Sequence, residues 1–253
     1  MPLTEPQRSQ RAFLRVLRIS ARCIIIFTTL EDAWMLKYSI ADRLLIFFCY
    51  HLASLRLCGK HYRMKNTRKP EAEKLGWDVK NSTLLFESQW YDLRQDTITL
   101  PSQDHITYTY VEHPGCVFVV PITAQNEMIL IHSYRYPIDA WCWEIPAGNL
   151  GDRAEDSPEE VARQELKEEI GGISQRLEFL GRFSLINGFG KLYGHYFLAR
   201  NVEMPDSQSL EASEVIDKIE LFPLSRVRHM ICEGVIHDAE SAFAILLALQ
   251  NLP

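Results

Sequence analysis

The sequence predicts an α/β sandwich with a mixed sheet, preceded by an N-terminal helical extension. Three observations carry that prediction. From Trp77 onward, short β-rich runs alternate with turn residues. Helical patterns interrupt those strands at two fixed points, one midway and one at the end of the chain. Residues 1–63, by contrast, hold a basic stretch and two short apolar runs.

At 253 residues, 47% hydrophobic and 24% charged, the chain can bury a core and is not a disordered polymer. Its net charge of −6 hides an asymmetry. Residues 1–69 hold 13 Lys/Arg against 4 Asp/Glu, a net of +9, and the remainder carries −15. Such a split points to two pieces with different histories or different partners. The expected boundaries are 1–63 for the extension and 76–253 for the acidic domain. The six cysteines (Cys23, Cys49, Cys58, Cys116, Cys142, Cys232) form no CxxC pair, and no His cluster has zinc spacing. That pattern argues against a secreted disulfide framework or a structural zinc and makes a reducing cytoplasm the default. No nucleic-acid partner is expected.

In the extension, Cys23–Leu30 and Leu44–Leu55 fall well short of the roughly 18–20 residues that span a bilayer. Arg8, Arg11, Arg15, Arg18 and Arg22 recur at helical spacing ahead of them. One reading is an element that touches a membrane surface or an anionic partner, or a targeting sequence. A second is a helical appendage packed on the main domain. A third takes Met64 as the ordinary start, with residues 1–63 an upstream extension.

The acidic domain is expected to place strands at Leu84–Phe86, Thr97–Leu100, Ile106–Val111, Cys116–Ile122, Met128–His132 and Cys142–Ile145. A polar loop and a helix follow, then strands near Leu177–Ser184, Tyr193–Ala199 and Val215–Pro223. A helical turn at Leu224–Cys232 and a helix at Asp238–Leu249 complete the pattern. The helix after Ser157 has the clearest signals. Ser157 and Glu160 make a capping box, Pro158 takes the first helical position, and Gly171–Gly172 ends the run. Val161, Ala162, Leu166 and Ile170 form its apolar stripe. Glu165, Glu168 and Glu169 stand at i, i+3 and i+4, so their carboxylates share one face. Like charges at that spacing repel unless a cation lies between them, and hard oxygen ligands suit Mg²⁺ or Mn²⁺. An isolated acidic helix face is usually just solvated; its surroundings distinguish this one.

WEIPAG at Trp143–Gly148 and QELKEEIGG at Gln164–Gly172 together resemble a Nudix box. Glu165, Leu166, Glu168, Glu169 and Gly171 match that family's pattern in order and spacing. Asp156 stands where an earlier Glu is expected and Gln164 where an Arg is, a support pair that could still share a hydrogen bond. The loop from Gly148 to Asp156 is about two residues longer than the pattern, and Gly172 replaces the final aliphatic. Both flanks, SYRYPIDAWCWEIPAG and GVIHDAESAFAILLAL, resemble the ADP-ribose pyrophosphatase branch, and the resemblance covers roughly Trp77–Leu249.

This resemblance implies a Nudix-type α/β/α sandwich and metal-dependent hydrolysis of ADP-ribose or a related nucleoside diphosphate sugar. The expected products are a nucleoside monophosphate and a sugar phosphate. Glu165 and Glu169 would ligate Mg²⁺ or Mn²⁺, with Glu168 a ligand or near neighbour and the Ala147 carbonyl another. Arg135 would bind phosphate. Glu144 would bind the terminal ribose or a second metal, or else be structural. Trp90 and Tyr108, expected in the N-terminal strands, would stack on the base or lie in the core or a dimer interface. Relatives form homodimers by exchanging strands of this region. Leu192 replaces the acid that many relatives carry after the box, so Glu214, with Glu211 second, is expected as an extra ligand or general base, and His195 is a substitute. The alternative function is a Nudix-fold nucleotide-binding module with weakened catalysis.

Overall fold

A computed structural model describes residues 68–252, apart from 152, 154, 206 and 211–213. The extension over 1–63, the alternative start at Met64 and the candidate acid Glu211 lie outside the described residues. Among the described residues, no helix is long and apolar enough to cross a membrane.

After a short helix α1 (Pro70–Lys74), strands β1 (Asp78–Glu87), β2 (Asp92–Thr99) and β3 (His105–Glu112) form an antiparallel meander. Strand β9 (Gly190–Lys191) joins β3 in parallel to complete a four-stranded sheet. The inward face of this sheet is polar. Arg94 donates to Glu112 at 2.8 Å, and the Tyr110 hydroxyl donates to Asp96 at 3.1 Å. The first half of β1 escaped the apolar-run criterion because Asp78–Thr83 is mostly polar, yet it pairs with β2 along its length.

The second sheet is seven-stranded. Its main path runs β11 (Ile216–Pro223), β5 (Glu127–Arg135), β4 (Cys116–Ile122), β10 (Tyr193–Arg200) and β8 (Arg176–Ser184). Strands β6 (Ala140–Glu144) and β7 (Ala147–Asn149) pair with β5 and β4. Strand β10 runs parallel to β4 while the other pairs are antiparallel, so the sheet is mixed.

Alternation along the central strands sends side chains to two separate cores. Val117, Val119, Ile129, Ile131, Phe197 and Ala199 face one way. They pack on Val161, Ala162, Leu166 and Ile170 of α2 (Pro158–Ile170). Phe118, Val120, Met128, Leu130, Tyr196 and Leu198 face the other way. They meet α3 (Leu224–Cys232) and α4 (Ala239–Gln250) through Val227, Met230, Ala244, Ile245 and Ala248. Helix, sheet and helix make the sandwich of three layers that the sequence predicts.

Candidate active site

Helix α2 is held at both ends. The Ser157 hydroxyl accepts from the Glu160 N–H, and the Glu160 carboxylate accepts from the Ser157 N–H. At the far end Gly171 takes the left-handed conformation at φ 64°. That turn lets Gly172 N–H donate to the Leu166 carbonyl at 3.0 Å. The apolar stripe fixes the rotation of the helix on the sheet. Glu165 and Glu169 flank that stripe and are buried, 6% and 4% exposed. Glu168 lies further round, and its side chain keeps 35% exposure.

Two of the three helix acids converge with a third from a distant loop. Glu165, Glu169 and Glu214 each offer a carboxylate oxygen within 4.8 Å of the others. Glu214 comes from the segment just before β11. The Ala147 N–H donates to Glu169 at 3.0 Å, which ties the helix to β7. Burial, then the neighbouring Glu165, raise the Glu169 carboxyl well above the ordinary range; Glu214 adds to this and the Ala147 N–H offsets part of it. A buried all-oxygen cluster of this charge fits a hard divalent cation, which relieves the repulsion that raises Glu169.

The acids open into a cleft of about 330 Å³, also lined by Trp90, Arg135, Ala147 and Arg153. Arg135 is positioned by Glu144. Its Nε lies 3.0 and 2.9 Å from the two carboxylate oxygens and its Nη2 lies 2.5 Å from one of them. Glu144 is itself buried, and burial raises its carboxyl above the usual range while Arg135 offsets part of that rise. Arg135 and Glu144 come from adjacent strands β5 and β6.

Other sequence-predicted residues are placed less centrally. Trp90 lines the cleft, but from the turn between β1 and β2 rather than from a strand, since Ser88 accepts backbone N–H groups there and closes the turn. Tyr108 is on β3 as expected but does not line the cleft, and its hydroxyl donates to the Gly188 carbonyl at 3.3 Å. Glu144 likewise stands behind Arg135 and not on the cleft wall. His195 is on β10 near the Phe179 ring, away from the cleft. Gln164 does donate to Asp156, at a long 3.4 Å.

Arg153 and His113 are among the lining residues that the sequence did not single out. Arg153, from the loop after β7, donates to Glu165 at 2.8 Å and to Glu168 at 2.6 Å. The loop is about two residues longer than the family pattern, but that length does not say which side chain it delivers to the acids. His113 also lines the cleft. Burial holds its imidazole below the usual range, and its Nδ1 accepts from the Gly115 N–H at 3.0 Å. It sits alone in the sequence and carries no spacing signal.

Comparison with known proteins agrees with this fold. A family profile for the NUDIX domain matches residues 112–239. The chain is 32% identical over 162 residues to the methanol dehydrogenase activator of Bacillus methanolicus, covering 64% of this chain and 86% of that one. It is 29% identical over 162 residues to the ADP-ribose pyrophosphatase of Bacillus subtilis, with the same coverage. The ADP-ribose pyrophosphatase of Mycobacterium tuberculosis is 26% identical over 169 residues, 66% of this chain and 80% of that one. A crystal structure of an ADP compounds hydrolase superposes with a TM-score of 0.61 at 20% identity, over 69% of this chain and 92% of that one, which speaks for the fold alone. This chain belongs to the Nudix family: it is a Nudix hydrolase, similar to the ADP-ribose pyrophosphatase branch.

Proposed function

We propose that the chain hydrolyses the pyrophosphate bond of ADP-ribose or a related nucleoside diphosphate sugar, with Mg²⁺ or Mn²⁺ held by Glu165, Glu169 and Glu214. The observation that carries this reading is the convergence of those three carboxylates, within 4.8 Å, beside a cleft with two arginines. The Ala147 carbonyl is the backbone oxygen nearest in role, since its own N–H already anchors Glu169. When bound, a divalent cation supplies charge neutralisation at the two phosphates and makes an attacking water more acidic.

The remaining work falls to the protein's own side chains. Arg135, held in a fixed plane by Glu144, presents its outer N–H groups to a phosphate oxygen. Trp90, 40% exposed at the rim, offers its ring face to the base. Glu214, the one member of the trio that comes from outside the helix, would take the proton from the water whose oxygen bonds to phosphorus as the P–O bond to the bridging oxygen breaks. The products are a nucleoside monophosphate and a sugar phosphate. Glu168 serves this site through Arg153 and not as a member of the converging trio.

The hydrolase domain in this reading spans residues 76–253. Leu85, Phe86, Trp90 and Tyr91 are each at least 40% exposed at the β1–β2 turn, which supports a homodimer formed through this sheet. Among the described residues the cysteines Cys116, Cys142 and Cys232 are free, in keeping with a reducing cytoplasm. The test is a panel of nucleoside diphosphate sugars with Mg²⁺, following release of the monophosphate. ADP-ribose turnover is expected. A protein that binds these compounds but cleaves none would be a nucleotide-binding module instead.

A further inference from the structure

We propose that Arg153 competes with the divalent cation for Glu165 and, once displaced, becomes a second phosphate-binding arginine beside Arg135. This inference rests on the cation reading above and adds a residue that the Nudix pattern does not contain. One guanidinium nitrogen of Arg153 lies 2.8 Å from Glu165 and another lies 2.6 Å from Glu168. The side chain is only 20% exposed, so this pair of contacts is shielded from bulk water. Glu165 belongs to the converging trio, and Glu168 does not. Arg153 therefore bridges a carboxylate of the converging trio to one outside it.

A cation seated among Glu165, Glu169 and Glu214 repels a neighbouring guanidinium and takes the oxygen that guanidinium now holds. Glu168, half out of the cluster, remains as a tether. Arg153 then pivots about Glu168 within the same cleft that Arg135 lines. A planar fork released there matches the phosphate oxygens of a diphosphate substrate. Without the cation, the same fork neutralises two acids that would otherwise repel. The loop that carries Arg153 is about two residues longer than the family pattern, which supplies the reach.

The test is calorimetric titration of the full chain with MgCl₂ alone, on the native protein and on Arg153→Ala, Arg153→Lys and Arg135→Ala. Arg153→Ala should bind Mg²⁺ about tenfold more tightly than native. Arg153→Lys, which cannot hold two carboxylates in one plane, should fall between them. Arg135→Ala removes a charge from the same cleft without freeing a carboxylate of the trio, so it should change affinity by less than about threefold. At saturating Mg²⁺, Arg153→Ala should raise KM for ADP-ribose by about tenfold, while kcat moves less. Equal Mg²⁺ affinity in native and Arg153→Ala, or equal gains in both alanine variants, would overturn the competition. An unchanged KM would overturn the phosphate role. If no variant and no native protein bound Mg²⁺, the cation reading itself would fail, which is a different result from either of these.

Discussion

Gly148 and Glu165 occupy one space: a Cβ built on Gly148 would lie 2.0 Å from Glu165 Oε1 and 2.4 Å from its Cγ. The glycine that closes WEIPAG thus leaves room for the first acid of the helix. Strand β7 pairs Gly148 with Val117 on β4, so the backbone cannot retreat. Two parts of the box, 17 residues apart in the chain (148 to 165), are in this way one packing unit.

Gly148→Ala should therefore displace the whole Glu165 side chain from the trio. Overpacking of this kind costs about 1–3 kcal/mol. Thermal unfolding should show that loss, and Mg²⁺ affinity should fall with it. A variant with native Tm and native Mg²⁺ binding would mean the contact is easily relieved.

Glu144→Gln should weaken substrate binding without touching the acidic trio. Arg135 would lose its two-oxygen anchor, and its guanidinium would no longer be held in one plane. KM for ADP-ribose is expected to rise about tenfold with kcat changing less. Steady-state kinetics at saturating Mg²⁺ checks this, and an unchanged KM would place Arg135 outside substrate recognition.

Glu240, at the start of α4, gives a pH signature independent of the catalytic acids. Burial raises its carboxyl above the ordinary value, and the nearby Asp238 adds to that rise. A carboxyl with a raised folded pKa binds its proton more firmly in the folded state. Its favourable contribution is complete below the unfolded pKa and fades as pH climbs through the folded one. Glu240→Gln should accordingly raise Tm relative to native at pH 7 and change it little at pH 4. Melting curves across that range decide it, and a Tm gain confined to low pH would reverse the assignment.

The thiols offer a chemical check of the packing. Burial, then Glu240, push the Cys116 thiol up to about 12, while Cys232 is exposed. Among the described cysteines, iodoacetamide at pH 8 should label Cys232 first and leave Cys116 largely unmodified. Peptide mapping after timed alkylation reads this directly. Preferential labelling of Cys116 would show the cleft wall it lines to be more open than its packing indicates.

The elements carrying strong apolar periodicity were legible from the sequence. Cys116–Ile122 and Leu224–Cys232 form at the expected bounds, and α2 begins and ends where its capping residues dictate. The pieces that escaped are short or polar. Ala147–Asn149 and Gly190–Lys191 each owe their strand geometry to a partner strand, which no local pattern announces. At the site, periodicity put Glu165, Glu168 and Glu169 on one face but could not rank them. Burial does, because the stripe of Val161, Leu166 and Ile170 turns Glu165 and Glu169 inward and leaves Glu168 at the edge. Arg153 was invisible for a different reason. Its place depends on how an irregular loop folds back, and nothing about a single arginine in a polar run encodes that.

Cation binding by the trio is read by calorimetry of the full chain with MgCl₂, on native protein and on Glu169→Gln. The native protein should show a saturable site that is lost in the variant, with both giving the same circular dichroism spectrum. Native-strength binding by Glu169→Gln, or no binding by the native chain, would contradict it.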